Sequence, residues 1–540
     1  MNRRERSYRY LRFAAFGSAV SLILAPIAFE RSGAGSDARS RAIYQGSMAP
    51  PHPYMGRSLN SMHEDAYNTD VSKSHGPLGR NTKWEYVKID DKPAMCPTFV
   101  VDSRGRLITI AITKKDVELR RIDPSSLRTI HKVALPAPSK RKRFKRAFKF
   151  LADPDSVFEN VSGGPYLYVD NRDRIVVPTV NDQIRIYEQQ ETSKGPRFAE
   201  VARLPLSKSN SRPQGIGDGD GIVGVLPDWL RPDMLWFVSA DGVVGLVHAR
   251  TGTLRSYRLK PGEDIRNSLA VCMEGAFVLS SRALYRFRIG GGNAPEKVWE
   301  APYATCDTYD ARGKHHTKDK PGQLGCGSGT TPTLFGDDLV AVGDLAKPHM
   351  NVVVYNRATG QLVGAHPIFT PADGHHQPGR SHSENSFIAY GNSLIVCNTY
   401  GYTSPFNDNK QIDGGLVRVD VNPEAAPGER LKTVWCTPFR IWSTTPKLSR
   451  ENRIIYTYTF LPNERAWYAI GIRYLDGREA FRVKVSAPNK DKPSGILPKR
   501  YEYDQFDNSW GPVFLGPGPR GRPAMYVGMV RGFLRLVDEG

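Results

Sequence analysis

The sequence predicts an all-β protein folded as a single β-propeller, with eight four-stranded blades as the best count and seven as the alternative. Three observations carry this. A unit of short apolar strands separated by polar turns recurs from Cys96 to the C-terminus, and self-similarity at a regular period is the signature of a repeat architecture. The 50 Gly and 40 Pro are spread over all 540 residues, and long amphipathic helical stretches are scarce, as many short strands joined by turns require. The last unit is too short to be a complete blade, so a strand from elsewhere must close it.

Residues 1–12 carry five Arg against one Glu, and Phe13 to Phe29 follow without a charge. These are the n-region and h-region of an export signal or a membrane anchor. Residues 1–30 are therefore expected to direct the chain out of the cytoplasm, to the periplasm, the cell envelope or the medium. Seventeen uncharged residues are short for a comfortable span and long for a cleaved signal, so cleavage and anchoring both stay open. Residues 31–82 read as an irregular leader rich in Ser, Gly, Pro and His. Its segment MHEDAYNTD, from Met62, carries Glu64, Asp65 and Asp70 and is expected to be a tethered tail within reach of a channel mouth.

The propeller is expected over residues 83–540. Each unit opens on a small polar motif, continues through an apolar strand and ends on a TG-like turn. The clearest copy is GSGTTPTLFGDDLVAVGD followed by NVVVYNRATGQLV, from Gly327 to Val363. RNSLAVCMEGAFVLSSRALYRF from Arg266, ENSFIAYGNSLIVCNTYG from Glu384 and DNSWGPVFLGPGPRGRPAMYVGMVRGFLRLV from Asp507 follow the same plan. Weaker copies begin near Cys96, Gly163, Asp220 and Trp442, giving eight openings about 59 residues apart, which suits a four-stranded blade with loop insertions. KVWEAPY at Lys297 and TVWCTPF at Thr433 echo each other in the same register. The unit at Asp507 is too short for four strands. KWEYVKI, Lys83 to Ile89, is expected to complete it and hide the edges that stacked hairpins would expose.

Six cysteines are too few for a disulfide-dependent scaffold; Cys306 with Cys326, closing a polar loop, is the one bridge expected. The absence of CxxC argues against structural zinc. The formal net charge of +20 is concentrated, because residues 1–12 contribute +4 and seven Lys/Arg lie between Lys140 and Lys149. That run interleaves Phe144, Phe148 and Phe150 with cations and suits an anionic membrane surface, the competing reading being a solvated insertion between blades. No nucleic-acid module accompanies the charge. A monomer that binds no nucleic acid is expected.

These units resemble the repeats of the quinoprotein alcohol dehydrogenase-like superfamily, whose members are typically eight-bladed propellers built from a strand, a TG turn and a returning outer strand. The pattern covers roughly Cys96 to the C-terminus. MHEDAYNTD, GPLGR, KPGQLGCGSGTTPTL and ENSFIAYGN also look like segments of uncharacterised bacterial secreted propellers. The resemblance implies the fold and stops short of the cofactor. The superfamily's docking tryptophan, expected four residues after the turn Gly, is replaced by Ser256, Gly364 and Phe481 after Gly252, Gly360 and Gly477. The adjacent cysteine pair that many quinone alcohol dehydrogenases place over their cofactor is missing too. Pyrroloquinoline quinone (PQQ) is accordingly disfavoured as a ligand.

In a propeller the innermost strands line a central channel, and their first residues crowd one mouth of it. The polar openings would bring Asn267, Thr330, Thr331, Glu384, Asn385, Asp507 and Asn508 towards one funnel. Asn267, Thr330, Thr331, Asn385 and Asn508 are the candidate ligand or cofactor contacts. Glu384, Asn385 and Asp507 are the candidate metal ligands, since converging oxygens suit Ca²⁺. Calcium-dependent lactonase and arylesterase propellers use Glu, Asn and Asp in such a place, and these residues are similar in type. The competing reading has Asn-Ser and Thr-Thr capping the strand starts. Seven of the twelve histidines lie between His315 and His382. His382 and Glu384 are the candidate catalytic residues, and HHQPGRSH, from His375, has the strongest claim to a metal or a general-base role.

No GxSxG elbow or phosphate-binding loop is present, so serine-hydrolase and nucleotide chemistry lack local support. Two functions follow. One is an exported propeller enzyme with a small molecule in its funnel, hydrolytic with Ca²⁺ or oxidoreductive. The other is a non-catalytic ligand- or protein-binding propeller at the cell envelope.

Overall fold

The computed structural model describes residues 48–57, 59–89, 95–113, 116–136, 164–209, 214–217, 221–306, 320–402, 412–441, 443–486, 490–491, 503–508, 510–529 and 531–539. Residues 1–30, the basic run from Lys140 to Lys149, and His315 and His316 lie outside the described residues. The described ones belong to one compact unit.

The polar openings and apolar runs become eight consecutive blades. The first seven open with Met95–Val101, Tyr168–Val169, Ile222–Pro227, Ala270–Cys272, Thr333–Phe335, Ile388–Tyr390 and Lys447–Ser449, each followed outward by three antiparallel strands. Blade 8 has three strands of its own, Val513–Pro517, Pro523–Met529 and Gly532–Asp538. Its fourth is Thr82–Lys88, paired antiparallel with the last of these from Thr82 opposite Asp538 to Lys88 opposite Gly532. The expected closing strand is therefore present, starting one residue early. Met95 of blade 1 also pairs with Gly532, so the first and last blades meet there.

Burial falls from the inner strands to the outer ones. In blade 3, Ile222–Pro227 and Met234–Ser239 are buried at every residue, whereas Leu254–Arg258 is buried only at Leu254. The inner strands pack on both faces and read as near-continuous apolar runs; the outer ones have one wet face. Where a ring lies flat on its neighbour, a glycine opposes it. A Cβ on Gly245 would stand 2.1 Å from Phe237, and one on Gly471 would stand 2.2 Å from Phe481.

Docking tryptophans do exist, which corrects the reading from spacing. Trp299 and Trp435, the two in the echoed KVWEAPY and TVWCTPF segments, lie on the last strands of blades 4 and 6. Their rings cover Gly360 and Gly477, the turn glycines of blades 5 and 7, and their Nε1 groups donate to the carbonyls of Arg357 (2.9 Å) and Tyr474 (3.1 Å). Each indole thus clips one blade to the next. Both tryptophans fall seven residues, not four, after the positive-φ glycine of their own blade's last turn, Gly292 or Gly428.

A Cβ on Gly360 or Gly477 would meet the indole at 2.7 or 2.8 Å, and both residues have positive φ, 74° and 68°. Gly252, at φ 71°, has nothing within 4 Å. Gly252→Ala is therefore expected to cost only the left-handed backbone, roughly 1–2 kcal/mol. Gly360→Ala and Gly477→Ala should cost roughly 1–3 kcal/mol more, because the tryptophan must also move. Urea unfolding of the three variants measures this order.

The leader is not a tail beside the fold. Residues Leu59 to Ser72 run along the inner edges of the blades, where a first strand would otherwise leave backbone N–H groups unpaired. Successive carbonyls accept from successive blades: Leu59 from Val101, Asn60 from Val169, Ala66 from Val271, Tyr67 from Leu334, Thr69 from Ala389 and Asp70 from Leu448, all at 2.8 to 3.1 Å. Val71–Ser72 then pairs parallel with Leu448–Ser449. Six of the eight blades are tied together through this one segment. The Asn68 amide adds bonds to the carbonyls of Leu269 and Pro332, at 3.1 and 3.0 Å.

Candidate functional site

The leader carries its charges into the middle of the molecule. Asp70 and Lys447, from the innermost strand of blade 7, form an ion pair in which both side chains are 0% exposed. Lys447 Nζ also donates to the Met62 carbonyl at 2.6 Å, and His63 Nδ1 lies 3.1 Å from Asp70. Burial pushes the Asp70 carboxyl up, but the Lys447 ammonium and His63 outweigh it and hold it below the usual carboxylate range. Two neighbours have no such partner of their own. Burial raises Glu64 to about 7 against the opposing pull of Lys447, and raises Asp65 to about 6 against hydrogen bonds from Thr69 and Tyr67.

His63 Nε2 faces Thr331 Oγ1 at 3.3 Å and Ser386 Oγ at 3.5 Å, so the leader and the blade openings meet here. The cavity left beside them, lined by Ser61, Met62, His63, Asn68, Tyr166 and Ser268, measures about 10 Å³. That is room for one water at most.

The predicted funnel residues sit at blade junctions, and most spend their polar atoms on them. Asn267 Nδ2 donates to the Thr330 carbonyl at 3.2 Å, linking blades 4 and 5, and Thr330 Oγ1 accepts from Gly343 N at 3.0 Å. The Asn385 amide donates to the Thr444 carbonyl at 3.2 Å while its oxygen accepts from Thr445 Oγ1 at 3.0 Å, linking blades 6 and 7. Ser443 Oγ reaches both oxygens of Asn508 at 3.0 Å, and Asn508 Nδ2 donates to the carbonyls of Gly511 and Gly528 at 3.0 and 2.6 Å. This is the capping chemistry of the competing reading, extended across blades.

The two candidate catalytic residues do come together. His382 Nε2 and Glu384 Oε1 are 2.8 Å apart, with side chains 1% and 4% exposed, and the same oxygen accepts from Leu324 N at 2.8 Å. His382 Nδ1 is buried without a hydrogen-bond partner among the described residues. Of the candidate metal ligands, Glu384 is held by His382 and Leu324 N, Asn385 is engaged as above, and Asp507 is buried.

Among the described residues, Asp373, His376 and Cys436 converge elsewhere, on the connection from blade 5 to blade 6 and the last strand of blade 6, with ligand atoms within 4.8 Å of one another. Burial pushes the Asp373 carboxyl up, and His376 more than reverses this; burial, then Asp373, pushes the Cys436 thiol well above its ordinary range. Cys306 and Cys326 carry thiols rather than the expected bridge. They are nevertheless neighbours: Cys306 N donates to the Cys326 carbonyl at 3.3 Å, and Gln323 Nε2 lies 2.9 and 3.9 Å from the two sulfurs. Spacing had pointed to neither Lys447 nor His63.

Repeating blades, inter-blade tryptophans and an N-terminal strand that completes the last blade define a β-propeller. A solved structure that shares the fold is the quinohemoprotein alcohol dehydrogenase of Comamonas testosteroni. It is similar at TM-score 0.51 and 9% identity over 94% of this chain and 85% of that one. The computationally designed Ika8 protein (TM-score 0.45, 10% identity, 85% of this chain and 100% of that one) and BamB from Moraxella catarrhalis (0.39, 9%, 68% and 94%) are similar at lower scores. No family model and no curated protein matches the sequence.

Proposed function

We propose that the protein is a non-catalytic binding propeller of the cell envelope, with its channel closed by its own leader and its recognition surface on the rim. The observation that carries this is the leader's course through the channel. Its carbonyls occupy the inner edges of six blades and leave about 10 Å³ beside His63, whereas a small-molecule site needs a few hundred Å³. A hollow of about 500 Å³ beside Tyr257, Gly290 and Lys297 lies on outer strands, away from every channel residue. The Arg-rich start with its uncharged run supports export, and the basic run from Lys140 to Lys149 supports an anionic membrane surface as partner.

The test is an absorption spectrum with elemental analysis of the purified full-length chain. No quinone band and no stoichiometric calcium are expected, and added Ca²⁺ should leave the Tm unchanged. A quinone band, or one calcium per chain, returns the protein to the enzymes. A second reading, acid–base catalysis at the channel mouth, is favoured by the His382–Glu384 pair with its unpartnered Nδ1. A hydrolytic activity lost in both His382→Gln and Glu384→Gln would select it.

A further inference from the structure

We propose that Asp373, His376 and Cys436 form a binding site for a divalent cation of the zinc class. The site lies on the connection from blade 5 to blade 6 and on the last strand of blade 6, off the channel, and it does not depend on the function proposed above. Asp373 ends the short turn Pro371–Asp373, His376 follows three residues later, and Cys436 lies in Leu431–Thr437. His376 Nδ1 is 2.8 and 2.9 Å from the two Asp373 oxygens, and Cys436 Sγ is 3.5 Å from Oδ2.

The other face of the imidazole explains why this trio is more than a hydrogen-bonded pair. His376 Nε2 lies 3.1 Å from the Gly414 carbonyl, a group that can only accept. A neutral imidazole has one N–H. With that proton on Nε2, the Nδ1 lone pair points straight at a carboxylate, an arrangement that needs a positive charge between them. A second proton could supply it, but the sulfur of Cys436 converges on the same point, and a nitrogen, an oxygen and a sulfur together are a zinc ligand set. A backbone carbonyl on the far nitrogen is how ligating histidines are oriented.

The local backbone is shaped to hold the ring there. Gly414 and Gly415 have positive φ, 74° and 124°, and a Cβ on Gly415 would stand 2.4 Å from His376 Nε2. Phe369 packs on the imidazole at 5.1 Å between ring centres, and the His376 side chain is 2% exposed. Charge closes as well. A divalent cation, one carboxylate and one thiolate sum to zero beside a neutral imidazole, and the Cys436 proton leaves to solvent on binding. Ca²⁺ and Mg²⁺ are excluded by chemistry, since both demand oxygen ligands. Three protein ligands leave a fourth position for water, the pattern of an open rather than a purely structural zinc site. The Asp373–His376 separation must widen by roughly 0.5 Å to seat a tetrahedral ion with bonds of about 2.0 to 2.3 Å.

Co²⁺ added to the untagged full-length chain is the probe, because a thiolate on Co²⁺ gives a charge-transfer band that no histidine or carboxylate produces. The other five cysteines are buried and Cys436 is not, so the band reports this thiol. The expected result is one Co²⁺ per chain with a thiolate band that Zn²⁺ bleaches. Cys436→Ser should abolish the band, and His376→Gln should weaken Co²⁺ binding by more than about tenfold. If His376→Gln melts early, Cys436→Ser, a one-atom change at a partly exposed residue, decides alone. A wild-type chain that shows no band, or a band that survives in Cys436→Ser, overturns the proposal.

Discussion

Asp70→Asn is expected to destabilise the fold by about 3–5 kcal/mol, because it takes from the buried Lys447 ammonium the carboxylate paired with it. The substitution isolates the charge. Asn has the same shape and tolerates the left-handed backbone at this residue, φ 53°. After the change Lys447 donates to the Met62 carbonyl and to an uncharged amide oxygen, and with both ends of the pair 0% exposed no water can make up for the lost charge. Lys447→Met should cost a similar amount, leaving Asp70 to His63 alone. The double variant is the informative one. Removing both charges should recover most of the loss, since a buried pair is often no better than apolar residues of its size. Urea unfolding of the two single variants and the double gives the coupling directly. An Asp70→Asn chain within about 1 kcal/mol of wild type would mean that the leader does not seat its carboxylate on blade 7.

How much of this was legible in the sequence depends on whether an interaction leaves a side-chain signature. The blades did: repeated openings and a truncated last unit are one-dimensional signals, and both the blade count and the closing strand followed from them. The leader's course left none. Its bonds to the blades are made by carbonyls of Leu59, Ala66, Tyr67 and Thr69, and every residue has a carbonyl. Lys447 in TTPKL looks like any exposed strand lysine, and its partner is 377 residues away. The tryptophans were hidden by an assumed turn length, since Gly292 and Gly428 sit in longer turns than the TG pattern.

The candidate sites divide along the same line. His382 and Glu384 are two residues apart, so their pairing could be anticipated, and the structure joins them. Asn385 lies at a strand opening as the repeat predicts, yet its amide is committed to Thr444 and Thr445 of the next blade, a contact that needs the ring to be built. HHQPGRSH drew attention for its histidines, but Cys436 completes the cluster from 63 residues beyond Asp373. Polar residues that cap and polar residues that bind have the same composition; only their partners separate them.

Glu64→Gln is expected to make the protein about as stable as wild type at pH 4 and about 3 kcal/mol more stable at pH 8. The folded-state pKa of Glu64 is raised, chiefly by burial, from 4.5 to about 7. Its protonated form is the one that fits, so the stability it contributes is fully present below its unfolded value and is lost as pH rises through about 7. A shift of that size corresponds to about 3 kcal/mol. Asp65, raised from 3.8 to about 6, acts with the same sign. His52 opposes both: burial lowers it from 6.5 to about 4, so its contribution is lost as pH falls through that window. The wild-type profile mixes these slopes, and only the difference between wild type and variant isolates Glu64. Gln keeps the side chain's size and its hydrogen-bonding end, so the difference should appear between pH 4.5 and 7 and then level off. A difference that does not change with pH would place Glu64 in water rather than beside Lys447, and with it the leader outside the channel.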